Sequence, residues 1–376
     1  MRIGLDTRNT GRPGGTGVAT YAQTLARACE ATGLAPRWVH DAPATRLVKS
    51  RRFARSLLPA RTLTPVPDGH AGHDLYRTAE VRDRTFRRTT QIHGAQPPTV
   101  MHWTYPLPLR WQGVPNVVTI HDLIPVLHPD FSATPAGRLH RRLQDWCDQA
   151  DAIVTVSRAV QQDIIATFRV DPAKIHMLSQ PVDLPDNALH AARQAASPAE
   201  PGGFLYFGTI ERRKNIGRLI DAHGRARTTR PLTLIGGQSH GGAEELAALS
   251  RHPAPRRVRI LPWCDRPALL RAIMDARAVV FPSLAEGFGL PIIEAMALGT
   301  PVLTSCGHAT QEIAGTAALL VNSTDTQDLA HALTRLDTDE TLCADLRDKG
   351  RTRAGAFAFG PYAHNLNQFY HHLLAN

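Results

Sequence analysis

The chain has few cysteines, and none of them stand in metal or redox spacing. Cys29, Cys147, Cys264, Cys306 and Cys343 are scattered over 376 residues without a C-x-x-C. A disulfide framework and a zinc ribbon are therefore excluded as organising devices, and reduced, mostly buried thiols are expected. No run approaches the ~20 apolar residues that span a bilayer. The first residues, Met1-Arg-Ile-Gly-Leu-Asp, read as a strand and lack the apolar core of an export signal, so the expected location is cytoplasmic. No H-E-x-x-H or G-x-x-x-x-G-K-[ST] occurs, which removes zincin and P-loop chemistry. The single D-x-D, Asp337-Thr-Asp339, falls late in the chain and away from a strand end, and reads as a helix boundary. A metal-bridged diphosphate thus finds no ligand set, and neither a metal nor another cofactor is expected. Aromatic residues make up 6% of the chain and do not interleave with the basic ones, which argues against a nucleic-acid partner.

What is present describes a folded α/β protein. Hydrophobic residues are 43% and charged ones 20% of a length that suits two domains. The net charge of +10 is uneven: from Arg46 to Arg88 there are 11 Lys/Arg against 4 Asp/Glu, a surplus of +7. Such a stretch attracts anions, whether lipid headgroups, phosphorylated substrates or nucleic acid, unless it is simply a solvated loop. Short β-rich runs alternate with helical stretches. In the first half they are Arg2–Asp6, Arg37–His40, Thr99–His102, Val117–His121 and Ala152–Val156. In the second they are Phe204–Gly208, Leu232–Gly236, Val258–Leu261, Ala278–Pro282 and Pro301–Ser305. Crossover helices fit between them, so two doubly wound halves with parallel sheets are predicted. An Ala/Pro/Gly-rich stretch supplies the boundary. We expect domains over 1–185 and 204–355, a linker at 186–203, and a C-terminal segment, 356–376, that is helical from Pro361 to Leu374.

The most informative segment runs from Ala278 to Pro301. An apolar strand ends at Phe281-Pro282, a loop carries Glu286, Gly287, Phe288 and Gly289, and a helix starts near Leu290-Pro291 with Glu294 one turn inside. Proline suits the first helical position. Glycines allow close backbone approach, and the free N–H groups of a helix start form an anion site. Two carboxylates eight residues apart around such a start suit a ligand with both a diphosphate and sugar hydroxyls. Taken alone, Glu294 could equally be a carboxylate stabilised by the helix dipole, worth ~0.3–1 kcal/mol. A second basic string follows the linker, Phe207-Gly-Thr-Ile-Glu-Arg-Arg-Lys-Asn215. Cations are disfavoured just before a helix, so Arg213 and Lys214 point to an anionic ligand whose charge they offset.

Glu-Gly-Phe-Gly-Leu-Pro-x-x-Glu resembles the E-x7-E motif of family-4 retaining glycosyltransferases, and the 207–215 string resembles that family's G-x-x-x-x-R-K-N turn. The resemblance implies the GT-B fold: two facing doubly wound Rossmann-like domains, a central cleft, and a C-terminal helix crossing back onto the first domain. It assigns Glu286 to the donor hexose and Glu294 to the ribose, with backbone amides of Gly287, Phe288, Gly289 and Leu290 on sugar and diphosphate. Many relatives carry arginine directly after the first glycine, where this chain has Thr209, which leaves Arg212 or Arg213 as partner to Lys214. Gly236, at the turn after Leu232-Thr-Leu-Ile, resembles another nucleotide-facing position, and Pro262 removes an N–H where relatives read the base.

In the first half, Gly11-Arg-Pro-Gly-Gly-Thr-Gly17 precedes an amphipathic helix. It resembles the family's glycine-rich turn, in which Gly15 and Gly17 would reach the donor phosphate. A nicotinamide-dinucleotide site is the rival reading, with Asp41 near the place of a ribose-binding acid. Thr119-Ile-His-Asp-Leu-Ile-Pro125 brings His121 and Asp122 to a strand end, and its continuation resembles bacterial surface-polysaccharide mannosyltransferases, whose histidine contacts the donor sugar. Ser157 and Arg158 match a further segment of the family. The resemblance thus implies metal-independent, retaining transfer of a hexose from GDP-mannose, or from a UDP- or dTDP-sugar, to a saccharide or polyprenyl-diphosphate-linked acceptor. With a lipid-linked acceptor, the basic stretch from Arg46 to Arg88 would make peripheral contact with an anionic membrane; it could equally meet a soluble acidic acceptor. The alternatives are a nicotinamide-dependent oxidoreductase and a catalytically silent binding subunit of the same fold.

Overall fold

A computed structural model describes residues 1–10, 17–43 and 45–375. They form two units, one of residues 1–126, 135–180 and 359–376, the other of residues 127–134 and 181–358.

The first unit holds an eight-stranded sheet. Its strands are β1 (Arg2–Asp6), β2 (Ala35–Ala42), β3 (Thr64–Val66), β4 (Gly69–His73), β5 (Val100–Trp103), β6 (Asn116–Ile120), β7 (Ala152–Thr155) and β8 (Ile175–Met177). The order is β8-β7-β6-β5-β1-β2-β4-β3, and only β3 runs antiparallel to its neighbour. The order reverses between β1 and β5, the mark of a doubly wound sheet. A small parallel sheet of Ala60–Thr62, Thr90–His93 and Leu109–Trp111 completes this unit.

The second unit holds β9 (Phe204–Phe207), β10 (Leu232–Ile235), β11 (Val258–Leu261), β12 (Ala278–Phe281), β13 (Val302–Ser305) and β14 (Leu319–Val321). All pairs are parallel, in the order β11-β10-β9-β12-β13-β14. Numbered within the unit this is 3-2-1-4-5-6, so the order reverses between β9 and β12. Ligands of such sheets sit beyond the carboxyl ends of the strands at the reversal. Helices cover both faces, so β9 and β12 are buried at every position and read as unbroken apolar runs.

The helix expected at the C-terminus spans Phe359–Ala375 and belongs to the first unit. Tyr362, Leu366, Phe369 and Tyr370 share a core with Tyr21, Leu25 and Cys29 of helix Gly17–Ala31. A buried hydrogen-bonded chain fastens it: Tyr370 Oη to His102 Nδ1 at 2.6 Å, His102 Nε2 to Thr119 Oγ1 at 2.8 Å, and Thr119 Oγ1 to Tyr21 Oη at 2.8 Å. Burial pushes the His102 imidazole down to about 3, so it is neutral in this chain.

Two expectations change. The stretch 186–203 is not all linker, because Asp186–Gln194 is helical and Arg271 of helix Arg266–Asp275 donates to the Arg193 carbonyl at 3.1 Å. Strands β3, β4, β8 and β14 also join the sheets without having been read as strands. Asp339, as expected, marks a helix boundary: it caps Glu340–Gly355 by accepting from Leu342 N at 2.8 Å.

Candidate functional site

The loops leaving β9 and β12 at the reversal carry the strongest chemistry. After β9, Gly208 leads to a single 3-10 turn, Arg212–Lys214, then Asn215 and helix Ile216–Arg225. Asn215 adopts φ 61°, a left-handed conformation that asparagine tolerates better than most side chains. Its side-chain amide donates to Ser323 O at 2.7 Å and to Pro282 O at 3.2 Å. This ties the turn to the loops after β14 and β12. Leu284 N donates to Arg213 O at 2.7 Å, which zips the two loops together.

The zipped loops bring Arg213 and Lys214 onto Glu286. Arg213 Nη1 reaches Glu286 Oε2 at 2.8 Å and Ala285 O at 3.2 Å, while Arg213 Nη2 reaches Glu211 at 2.7 Å. Lys214 Nζ donates to the other Glu286 oxygen and lies 4.5 Å from the centroid of the Phe281 ring. Both Lys214 and Glu286 are buried, at 7% and 8% exposure. Burial pushes the Glu286 carboxyl up, but the Arg213 and Lys214 cations outweigh it and hold the group at about 2. Burial likewise draws Lys214 below its usual value, against the pull of Glu286. Of the two candidate arginines, Arg213 is in this cluster and Arg212 is exposed.

Gly289 caps helix Leu290–Ala297 with φ 106°, and Pro291 stands in its first turn. A Cβ on Gly289 would come within 2.9 Å of Ile292 Cδ1. Phe288 is buried with its ring 5.7 Å from that of Phe357, so its side chain belongs to the packing of the loop. Gly287 is buried as well. Glu294 lies in the helix, but it does not join the Glu286 cluster. It pairs instead with Arg266 Nη2, at 2.5 Å. Arg266 begins helix Arg266–Asp275, where Asp265 caps by accepting from Ala268 N at 2.9 Å. Gly236 sits at the carboxyl end of β10 with φ 156°, and a Cβ there would fall 1.9 Å from Gly208 O. Only glycine allows these two turns to touch.

In the first unit His121 follows β6 directly. The Thr104 carbonyl can only accept, so His121 donates to it through Nε2 at 2.9 Å, leaving Nδ1 to accept from the Gln180 amide at 3.2 Å. Burial lowers its pKa, opposed by the bond to Thr104 and the charge of Asp122. Thr104 is itself held at the reversal point, donating to Asp6 Oδ2 from N at 2.6 Å and from Oγ1 at 2.9 Å. Asp122 accepts from Ile124 N at 3.0 Å in a local turn, and Ser157 caps helix Arg158–Thr167 by accepting from Val160 N at 3.2 Å. Gly17 is the first residue of its helix. Gly15 lies outside the described residues. Among those residues no three His, Cys, Asp or Glu side chains gather where they could hold a metal ion, and no helix is long and apolar enough to cross a membrane.

Arg266, Glu211, Asn215, Gln180 and Thr104 were not singled out from sequence. Asn215 alone had a signal, as the last residue of the 207–215 string.

This architecture recurs in solved glycosyltransferase structures. Sucrose-phosphate synthase from Thermosynechococcus elongatus matches with a TM-score of 0.73 over 100% of this chain and 99% of that one, at 22% identity. HepE of Anabaena, solved with UDP-glucose, matches with a TM-score of 0.70 over 98% and 99%, at 17% identity. The fold is GT-B, with two Rossmann-like domains, as expected.

The chain belongs to the family-4, group-1 glycosyltransferases. The family described as "Glycosyltransferase Family 4" matches residues 15–185 and "Glycosyl transferases group 1" matches residues 201–339. The O-antigen chain mannosyltransferase B of Escherichia coli is 30% identical over 234 residues, 59% of this chain and 61% of that protein. The D-inositol 3-phosphate glycosyltransferase of Jonesia denitrificans is 30% identical over 272 residues, 66% of this chain and 64% of that protein. In both, the match takes in less than two thirds of the relative.

Proposed function

We propose that the protein transfers a hexose, with mannose favoured, from a nucleoside-diphosphate sugar to a hydroxyl of a saccharide or polyprenyl-diphosphate-linked saccharide in surface-polysaccharide synthesis. The observation that carries this reading is the junction of Arg213 and Lys214 with Glu286 at the reversal of the second sheet. Two cations and a carboxylate meet there, where a doubly wound sheet receives ligands. As the glycosidic bond breaks, negative charge grows on the diphosphate. Lys214, Arg213 and the N–H groups of the helix start at Leu290 stabilise it there. Glu286 orients the hexose and Glu294 the ribose, while the backbone at Gly236 and at Gly287, Phe288 and Gly289 lies against nucleotide and sugar. By the family resemblance, His121, neutral and oriented by Thr104 and Gln180, is assigned to the sugar, and the glycine-rich turn with Gly15 and Gly17 to the phosphate.

The anomeric configuration is retained. The acceptor attacks from the face that the phosphate leaves, and the phosphate takes its proton, so Glu286 forms no covalent intermediate. The E. coli relatives named as an O-antigen chain mannosyltransferase and a serotype-specific mannosyltransferase support mannose as the hexose and a surface polysaccharide as the product. The UDP-glucose in the HepE structure keeps UDP-sugars in contention. A lipid-linked acceptor would bring the enzyme to the anionic inner face of the membrane, with the basic stretch 46–88 as its contact. Family membership in both halves favours glycosyl transfer over a nicotinamide reaction.

A donor panel of GDP-mannose, UDP-glucose and a dTDP-hexose tests the reading. Release of nucleoside diphosphate from one donor is expected, with an anomeric NMR signal of retained configuration in the product. A folded protein that releases none from any donor, or yields the inverted product, would overturn it.

A further inference from the structure

Helix Arg52–Ser56 and the turn after it expose Phe53 to 57%, Leu57 to 55% and Leu58 to 55%. These are the most exposed large apolar side chains among the described residues, and they fall within six positions. Scattered exposed apolar residues are ordinary, whereas a cluster marks a contact surface. The cluster is rigidly supported. Arg82, buried in helix Leu75–Phe86, donates through Nη1 to Ser56 O at 2.9 Å and Leu57 O at 3.0 Å. Ser56 Oγ donates to Phe53 O at 2.6 Å, and Arg52 pairs with Asp74 at 2.5 Å. The Phe53 ring leans on Phe86 with centroids 6.1 Å apart. A buried arginine thus closes the end of the short helix and turns Leu57 and Leu58 outward.

The charges around it are of one sign. Arg46, Lys49 and Arg51 precede the cluster, and Arg84, Arg87 and Arg88 stand at the end of the helix against which it packs. All six are exposed, and none enters an ion pair among the described residues. The four acids of the stretch are engaged elsewhere: Asp74 by Arg52, Glu80 and Asp83 by Arg142, and Asp68 by His40. These six charges are therefore presented outward around an apolar knob. An acidic protein surface would answer the cations alone, whereas one leaflet of a bilayer answers both, with anionic headgroups above an apolar interior.

We propose that Phe53, Leu57 and Leu58 form an insertion knob that, with Lys49, Arg51, Arg84 and Arg88, docks the protein on an anionic lipid surface. The inference deepens the lipid-linked-acceptor reading and rests on it for its purpose, but the docking is measurable without donor or acceptor. The probes are phosphatidylcholine vesicles, pure or with about a third phosphatidylglycerol. The protein is expected to sediment with the anionic vesicles only, less so as salt rises. The variant F53S/L57S/L58S is expected to lose about tenfold or more of that binding, and R51E/R84E/R88E a comparable factor, both with unchanged melting and nucleotide binding. A Phe53→Trp variant is expected to be quenched by brominated lipid, a readout that stands even if the triple variants fail to fold. Equal binding to neutral vesicles, serine variants that bind like the parent, or an unquenched Trp would overturn the proposal. So would self-association that the serine variant abolishes while vesicle binding persists, since the knob would then be a protein interface. Vesicle binding by a protein that transfers no sugar would instead sink the transfer reading and leave the knob standing.

Discussion

The ammonium of Lys214 donates to the carboxylate of Glu286, a buried pair that joins a turn and a loop 72 positions apart in the chain. With Arg213 on the second carboxylate oxygen, the cations proposed to meet the diphosphate are already balanced by the carboxylate proposed to hold the sugar. On that reading, a donor entering the site competes with Glu286 for Lys214 and Arg213.

Lys214→Ala is expected to abolish most transfer. Removing one donor that stabilises transition-state charge costs ~2.7–4 kcal/mol, or roughly 10²–10³ in rate. Arg213 still compensates Glu286, so the fold should persist. Turnover measured beside thermal melting checks this, and near-normal turnover in a folded variant would remove Lys214 from the site.

The competition separates the two glutamates. Glu286→Gln frees Lys214 and leaves Arg213 with Glu211, and is expected to tighten binding of the free nucleoside diphosphate while lowering turnover of the sugar donor. Glu294→Ala is expected to weaken nucleoside-diphosphate binding, by about 1.5–3 kcal/mol if a charge-assisted bond to ribose is lost. Calorimetry with the diphosphate alone decides it, and equal loss in both variants would contradict the assignment.

Saturating chelator is expected to leave the rate unchanged if, as proposed, Lys214 and Arg213 supply the charge that a divalent ion supplies elsewhere. A loss of activity reversed by added metal would refute this.

A pH effect on stability should come from outside the site. His223 Nε2 donates to Arg230 O at 2.9 Å, so its Nδ1 accepts from His252 Nε2 at 3.0 Å. The arrangement requires a neutral His223, and burial lowers its pKa from 6.5 to about 4. The unfolded chain then binds the extra proton first as pH falls. This contribution is complete above the unfolded value and is lost between pH 6.5 and about 4, on the order of 3 kcal/mol. Denaturant titrations at several pH values should show a shallower acid-side slope in His223→Gln than in the parent; equal slopes would remove His223 as the cause.

Glu286 and Lys214 were legible because each lies in a contiguous string at the end of a strand that its composition reveals. Arg266 was not. The string Asp-Arg-Pro announces a capped helix start, but nothing in it tells that Glu294 stands opposite. Gln180 is hidden from His121 in the same way, 59 positions away in the chain. β4, Gly-His-Ala-Gly-His, has little strand propensity and is formed by pairing to β2, where a Cβ on Gly69 would fall 2.0 Å from Trp38 O. Such a close approach shows only in three dimensions. The helix Asp186–Gln194 was masked by the Pro/Gly-rich residues after it, although its Ala, Leu, Arg and Gln favour helix.

The bond from Tyr370 to His102 crosses 268 positions of sequence, and this separation sets an order for biosynthesis. The first unit's core lacks its last helix until the entire second unit has been translated. At roughly 5–20 residues per second, the wait from Gln180 to Phe359 is about ten seconds or longer. During it, Tyr21, Leu25 and Cys29 lack the helix that covers them, so chaperone dependence should concentrate on this face, and the second unit can fold before the first is finished.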